Sequence, residues 1–549
     1  MSNLPLRPTD SGPANGTEPL LELPLHAQPE VHERRWFLLG VLCLSLVMVV
    51  MAVSSLNVAI PTIQRELGAS ATTLQWIVDA YALVFAGLLL TAGALGDRFG
   101  RRKALLGGLA VFGVGALVSG LAGSASLIIV GRGIQGVGAA FVMPATLSLI
   151  TAIFPPDERQ RAIAIWVGFA GAGGAIGPIV SGALLEQFWW GSAFLVNIPV
   201  IIVTAVAVAM YSPESRDDAA TPLDPRGALL SLTGLGALLF AIIEGPERGW
   251  TDPFVVTTFV AAAALITLFV LWERIAEHPM LPLKFFADRR FSVGSAVVTT
   301  SFFVMFGFFF LFSMYLQFAR GYSPLDAGLA TLPMAATFMI VSPRSAGLVE
   351  RLGSGTTITV GFLIIAAGMG GLAVVGVGTP YLALVVVMIL LATGMSVVAA
   401  PATTGIMSSV PLAKAGVGSA MNDTTREVGG ALGIAVFGSI VNSGYRAAMD
   451  VGGLDLPAGA AEQARESAGA AGQVAAQLGG QGGTSLVDRA ATAFTDAMNV
   501  TAAISMVMLV IAALVVSRTF TRAKEAAAVN ASANEPGQLE VVGSVAAAE

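Results

Sequence analysis

Apolar runs separated by charges, prolines and glycines recur along almost the whole chain. Fourteen of them fall at 36–60, 73–95, 104–122, 126–152, 160–186, 191–212, 226–245, 253–273, 291–318, 324–349, 355–376, 379–401, 416–443 and 491–517. Each is close to or above the roughly 20 apolar residues that carry a helix across a bilayer. The pattern predicts an all-α polytopic membrane protein, because a helix satisfies its backbone groups internally where no water is at hand. Outside the runs the character changes. The first 33 residues hold Pro, Gly, Ser and Glu with no apolar stretch long enough to act as a signal-peptide core, and read as a disordered tail rather than a signal peptide. Arg34-Arg35 precedes an apolar run too long for an export signal and lacks a small-residue cleavage site after it. The Gly/Ala/Gln-rich stretch 444–490 reads as one long loop, flexible or weakly helical, and the chain after Arg522 as a second disordered tail.

An even number of spans returns the chain to the side it started from, and the distribution of basic residues decides which side that is. With the N-terminus inside, about 21 of the 29 Lys and Arg lie on cytoplasmic segments, about 6 on external ones and 2 within spans. The clusters Arg98-Arg101-Arg102-Lys103 and Arg274-Lys284-Arg289-Arg290 fix that orientation, with both termini cytoplasmic in the inner or plasma membrane. Asp97-Arg98-Phe99-Gly100 after the second run is echoed by Glu350-Arg351-Leu352-Gly353 after the tenth, an offset of eight helices. Two related six-helix halves with an inserted pair account for it, as in transporters built from repeats. The expected organisation is a cytoplasmic tail (1–35), an N-terminal six-helix bundle (36–212), two inserted helices with a cytoplasmic loop (213–290), a C-terminal six-helix bundle with an external loop at 444–490 (291–520), and a cytoplasmic tail (521–549).

Composition narrows the function. Of 549 residues 55% are hydrophobic and 12% charged, which excludes an ordinary soluble enzyme and a disordered chain. The 63 glycines fit helices that approach closely in lipid. Cys43 has no intrachain partner, and His26, His32 and His278 all lie outside the apolar runs, so neither a disulfide nor an intramembrane histidine metal site or hydrolytic triad can be assembled. The net charge of −6 carries no basic cluster of the kind nucleic acid requires. None of the four lysines follows a glycine, so the phosphate-binding Gly-Lys-Ser/Thr pattern is absent and ATP is not expected to drive the protein directly. An ion gradient is then the energy source, and it needs a membrane-embedded group that changes charge.

Ionisable residues inside the runs are Asp79, Arg132, Asp423, Arg426 and Glu427, with Glu186 and Glu244 near span ends. Such charges are expensive in lipid and face a cavity or a partner. Asp79 and Arg132 each sit about six residues into spans that enter from the same side, so both lie about 9 Å deep and are placed to meet. Either Asp79 loads and releases protons against Arg132 or the two form a permanent ion pair. Asp423, Arg426 and Glu427 share one helical face. Two carboxylates cannot both pair with one guanidinium, which leaves Glu427 as the acid awaiting an ion or a cationic substrate, unless Asn422, Thr424 and Thr425 satisfy it by hydrogen bonding.

Gly93-Ala94-Leu95-Gly96-Asp97-Arg98-Phe99-Gly100-Arg101-Arg102-Lys103 resembles the cytoplasmic loop signature of the major facilitator superfamily. Arg132-Gly133-Ile134-Gln135-Gly136-Val137-Gly138-Ala139-Ala140 resembles its fourth-helix motif, whose arginine is tied to proton transfer, and Gly173-Gly174-Ala175-Ile176-Gly177-Pro178-Ile179-Val180-Ser181-Gly182 its fifth-helix antiporter motif, with Ser181 and Ala164 where glycine is usual. Fourteen spans and Trp76-Ile77-Val78-Asp79-Ala80-Tyr81 narrow the resemblance to the drug:proton antiporter branch, which exports lipophilic cations. One departure is Ala52, nine residues before Pro61, where the branch usually carries an aspartate. Either coupling rests on Asp79 and the thirteenth-span acids, or the substrate is not the usual cation.

The resemblance implies a secondary efflux transporter, not an enzyme, that exchanges protons for an amphipathic compound by alternating access, as a monomer and without a cofactor or metal. Asp79, Arg132, Asp423 and Glu427 are expected to couple protons. Gly93, Asp97, Arg98, Gly100, Arg101, Arg102, Gly177 and Pro178 are expected to gate the conformational change, the last two through a kink. Asn57, Trp76, Tyr81, Gln135, Asn422 and Arg426 are expected around the substrate, and a minority of the ninth-span phenylalanines, Phe302 among them, could meet an apolar cation through their faces. Export of an endogenous metabolite or lipid is the alternative, and a non-transporting sensor or scaffold a more distant one.

Overall fold

The computed structural model describes residues 24–67, 71–216, 222, 224–452, 456 and 459–533. The tails and loop residues expected to be disordered at 1–23, 453–455, 457–458 and 534–549 lie outside the described residues. Among the described residues fourteen helices are long and apolar enough to cross a membrane. In order they are Pro29–Ser54, Trp76–Phe99, Arg101–Gly120, Ala125–Ile153, Pro156–Leu185, Ser192–Tyr211, Pro225–Gly245, Pro253–Ile275, Arg289–Ala319, Leu325–Leu352, Ser354–Leu372, Tyr381–Ser408, Leu412–Ala448 and Gly480–Thr519, called the first to fourteenth spans below. Their even number puts the start of the first and the end of the last on one side, the terminal face.

Each run read from hydropathy overlaps one of these helices in turn, and the ends differ for local reasons. The first helix starts at Pro29 rather than 36 because proline is tolerated in a first turn and Glu30 there complements the helix dipole. It ends at Ser54, and helix Leu56–Leu67 continues beyond Ser55, so the run 36–60 is broken rather than continuous. The tenth span is jointed: Pro333 opens the segment Leu332–Val341, and Pro343 lies in a 3-10 turn, Ser342–Arg344, ahead of Ser345–Leu352. The stretch 444–490, expected flexible or weakly helical, is helical over much of its described length. It carries helices Ala460–Glu466 and Ala468–Leu478, whose Ala464, Ala471 and Val474 are buried, and Tyr445 donates to the Ala464 carbonyl at 2.8 Å. Its alanines are the strongest helix formers and small enough to pack closely.

Helix packing repeats with the offset of eight that the sequence echo implies. The first span packs on the fifth as the ninth does on the thirteenth, the third on the fourth as the eleventh on the twelfth, and the third on the sixth as the eleventh on the fourteenth. Contacts between the halves obey the same rule: the second span meets the thirteenth and the fifth meets the tenth. The seventh span lies against both the second and the thirteenth, with Trp76 against Phe240 at 5.9 Å and Trp250 Nε1 donating to Ser439 at 2.8 Å, while the eighth packs on the seventh. Gly100 and Gly353, the closing glycines of the two echoed tetrapeptides, both take positive φ, +114° and +77°, where a side chain would strain the turn into the next span.

Candidate functional site

At the terminal face the second span is fastened to the thirteenth. Asp97, buried at the end of the second span, accepts from the backbone amides of Gly416 and Val417 at 2.8 and 3.0 Å, so it caps the thirteenth helix from across the seam. Arg101 Nε and Nη2 donate to Asp97 Oδ1 at 3.0 and 2.8 Å. The same guanidinium reaches Leu412 O at 2.5 Å and Ser215 Oγ at 2.6 Å. Arg102 donates through its amide to Glu214 at 3.2 Å and through its side chain to Ala209 O. Arg98 lies over the ring of Phe99, its guanidinium carbon 5.5 Å from the ring centre. A Cβ on Gly93 would stand 2.5 Å from the Gly416 carbonyl oxygen, which makes glycine a condition of this close approach.

Deeper in the N-terminal half, Arg132 is fully buried. Its Nε donates to Ile77 O at 3.0 Å, its Nη1 to Ala52 O at 3.4 Å and Gln135 Oε1 at 3.2 Å, and its guanidinium carbon lies 4.3 Å from the centre of the Tyr81 ring. Nη2 has no hydrogen-bond partner, and no carboxylate contacts the group among the described residues. The expected meeting of Asp79 with Arg132 is therefore corrected. The depth is right, since Arg132 grips Ile77 and Tyr81 on either side of Asp79, but those two are four residues apart on one face and Asp79 points from the other. Trp76, three residues before Asp79 on the same face, packs on Phe240 of the seventh span. Asn57 lies in helix Leu56–Leu67, with its side chain outside the described residues.

The thirteenth span supplies a second centre. Arg426 Nη1 is 3.5 Å from Asp423 Oδ1, and its guanidinium lies 4.5 Å from the Phe302 ring centre and 5.2 Å from that of Trp166. Asn422 donates to the same Asp423 oxygen at 3.4 Å and accepts from Thr403 of the twelfth span at 3.0 Å. Thr424 and Thr425 donate to carbonyls of their own helix, so neither satisfies a carboxylate. Glu427 has no hydrogen-bond partner among the described residues. It lies within electrostatic reach of Arg426, Asp423 and Tyr81, whose buried hydroxyl is also unpartnered. Glu427, Tyr81 and Arg132 thus run in series across the seam between the halves. Gly177 abuts the break in the first helix, where a Cβ would stand 2.9 Å from both Met51 O and Ser55 N, and Pro178 packs on Gly328 of the tenth span.

A profile of the Major Facilitator Superfamily matches residues 42–434. The chain belongs to the major facilitator superfamily. It is 36% identical over 494 residues to the multidrug efflux pump LfrA of Mycolicibacterium smegmatis, covering 89% of this chain and 97% of that one. It is 32% identical over 501 residues to the methyl viologen resistance protein SmvA of Salmonella typhimurium (89% and 99%), and 34% identical over 415 residues to the tetracenomycin C resistance and export protein of Streptomyces glaucescens (75% and 76%). The fold is shared with a bacterial homologue of the human lysosomal transporter Spinster, at a TM-score of 0.56 and 19% identity over 90% of this chain and 98% of that one. As a member of the superfamily the chain is a transporter rather than an enzyme.

Four participants in this superfamily chain escape its sequence patterns. Trp166 is fully buried ten residues into the fifth span, about 15 Å deep, where tryptophan is unusual because it favours the membrane interface; that displacement is a readable signal. Ser215 and Glu214 hold the loop signature from a connection with no motif of its own. Ser342 donates to the Ala164 carbonyl at 2.5 Å, joining the fifth and tenth spans where the fifth-helix pattern departs from glycine. A cavity of about 410 Å³ opens among Arg290, Gly355, Pro401 and Ser408, and none of the intramembrane charges lines it.

Proposed function

We propose that the chain exchanges protons for lipophilic cations and exports them across the cell membrane. The observation that carries the reading is Glu427: Arg426 turns to Asp423, and the remaining carboxylate stands within electrostatic reach of Arg426 and Tyr81 but without a hydrogen-bond partner among the described residues. An unpaired acid in lipid is stable when it holds a proton or a cation, and it exchanges one for the other. Tyr81 and Arg132 relate that exchange to the N-terminal half, and Asp423 sets the field around it. Asp79 is a second coupling acid. Relatives named for multidrug efflux and for methyl viologen resistance support a cationic substrate. The halves 36–212 and 291–520 rock about the inserted pair, with Gly93, Asp97, Arg98, Gly100, Arg101 and Arg102 closing one face and Gly177 with Pro178 bending the fifth span. The tails and the latched face are cytoplasmic, as the basic loops require, and the unit is a monomer.

Export of a neutral or anionic metabolite or lipid is the second reading, favoured by Ala52 and by an Arg132 that contacts no carboxylate. The test is efflux of tetraphenylphosphonium from proteoliposomes under an imposed pH gradient, comparing the parent with Glu427→Gln and Asp79→Asn. Gradient-dependent flux lost in Glu427→Gln supports the proposal. Gradient-dependent flux that persists in it moves coupling elsewhere, and no flux from the parent favours the second reading.

A further inference from the structure

Trp166 of the fifth span, Phe302 of the ninth and the carboxylates of the thirteenth form a cage suited to an organic cation, and it already holds one. All three spans rise from the terminal face, and Trp166, Phe302 and the Asp423 and Glu427 carboxylates lie about 15, 20 and 12 to 18 Å from their helix starts, so the cage sits near mid-membrane. We propose that Arg426 is a tethered substitute for the transported cation: its guanidinium fills the cage in the empty carrier, and substrate binds by displacing it. The inference rests on the export reading and adds to it a competitor built into the chain.

The contacts are those of an occupant that can leave. A guanidinium bound for good to a carboxylate takes two short parallel hydrogen bonds, whereas Arg426 makes one contact to Asp423 at 3.5 Å, the limit of a hydrogen bond. The rest of its hold is the two ring faces and the field of Asp423 and Glu427. A lipophilic cation offers the same faces and carboxylates the same charge, with more apolar surface to bury. The other Asp423 oxygen is buried without a partner, so the acid has unused capacity for whichever cation is present. Arg132 shows the contrast. It is anchored by three oxygen acceptors as well as a ring, on the N-terminal half, and is not built to be displaced.

The test is binding of tetraphenylphosphonium by calorimetry to the purified full-length chain, as parent, Arg426→Ala and Arg426→Lys. Arg426→Ala should bind about tenfold more tightly than the parent, the scale of one freed, desolvated cation–π contact. Methylguanidinium at millimolar concentration should compete in Arg426→Ala and not in the parent, whose cage is full. Unchanged or weaker binding by a folded Arg426→Ala overturns the inference, as does equal competition in both proteins. If Arg426→Ala does not yield folded protein, Arg426→Lys decides: its ammonium keeps the charge but not the planar stack, so binding should tighten about threefold, and no gain overturns the inference. Parent binding without any gain in the variants leaves the export reading standing. Absence of binding in all three proteins, with no efflux, removes both.

Discussion

Arg132 keeps a full charge in the interior with carbonyls, one amide and a ring face for company. Tyr81→Leu should therefore lower stability by about 1–2 kcal/mol, read as a lower thermal midpoint in detergent. Tyr81→Phe keeps the face and should leave that midpoint near the parent, because the lost hydroxyl has no partner to orphan. If both variants fall equally, the ring is not what holds the guanidinium. At this scale the sequence yields depth better than direction. Counting residues into the spans puts Arg132 level with Asp79, and only the packed helix shows that Ile77 and Tyr81 face it instead. The Asp423–Arg426–Glu427 group was legible because all three lie on one helix, where spacing fixes direction. Trp166 and Phe302 arrive from other spans, and no pattern within a run reports which faces will meet.

The spans themselves were legible because lipid demands long apolar helices, while their joints depend on single residues such as Ser55, Pro333 and Pro343. The loop signature is where an element-level device has measurable consequences. Asp97→Asn keeps one acceptor oxygen for the two amides of Gly416 and Val417, which the carboxylate meets with separate oxygens, and removes the charge that Arg101 pairs with. The latch should weaken by about 2 kcal/mol, roughly thirtyfold in population. Spin labels on Lys103→Cys and Leu412→Cys should then report a separated population that the parent lacks, while substrate affinity is retained. An unchanged distance distribution would argue that the latch does not govern closure. The native Cys43 is buried and leaves this readout clean. Gly93→Leu should act in the same direction more strongly, since its side chain collides with backbone at Gly416 rather than with a movable side chain; transport should fall to background with the protein still folded.

Across the whole molecule, the offset of eight visible in two tetrapeptides returns as a repeated set of helix contacts, and the two tetrapeptides have diverged in use. Asp97 is buried in the latch, whereas Glu350 at the equivalent position is exposed. Glu350→Gln should accordingly leave efflux within about twofold of the parent, and a loss as large as that of Asp97→Asn would show a second latch used in another state of the cycle. The inserted pair was readable as two extra spans, but not its seat, because hydropathy says how often a chain crosses and nothing about what each crossing leans on. That seat makes the molecule unequal in the plane of the membrane. The seventh span roofs the seam between the second and thirteenth, while the matching seam between the fifth and tenth is closed by Phe338 and Leu325 packed onto Gly171 and Gly182. A solute dissolved among the lipid tails meets a fixed helical wall on one flank and side chains able to turn aside on the other, so sideways entry, if the carrier admits it, has a single door.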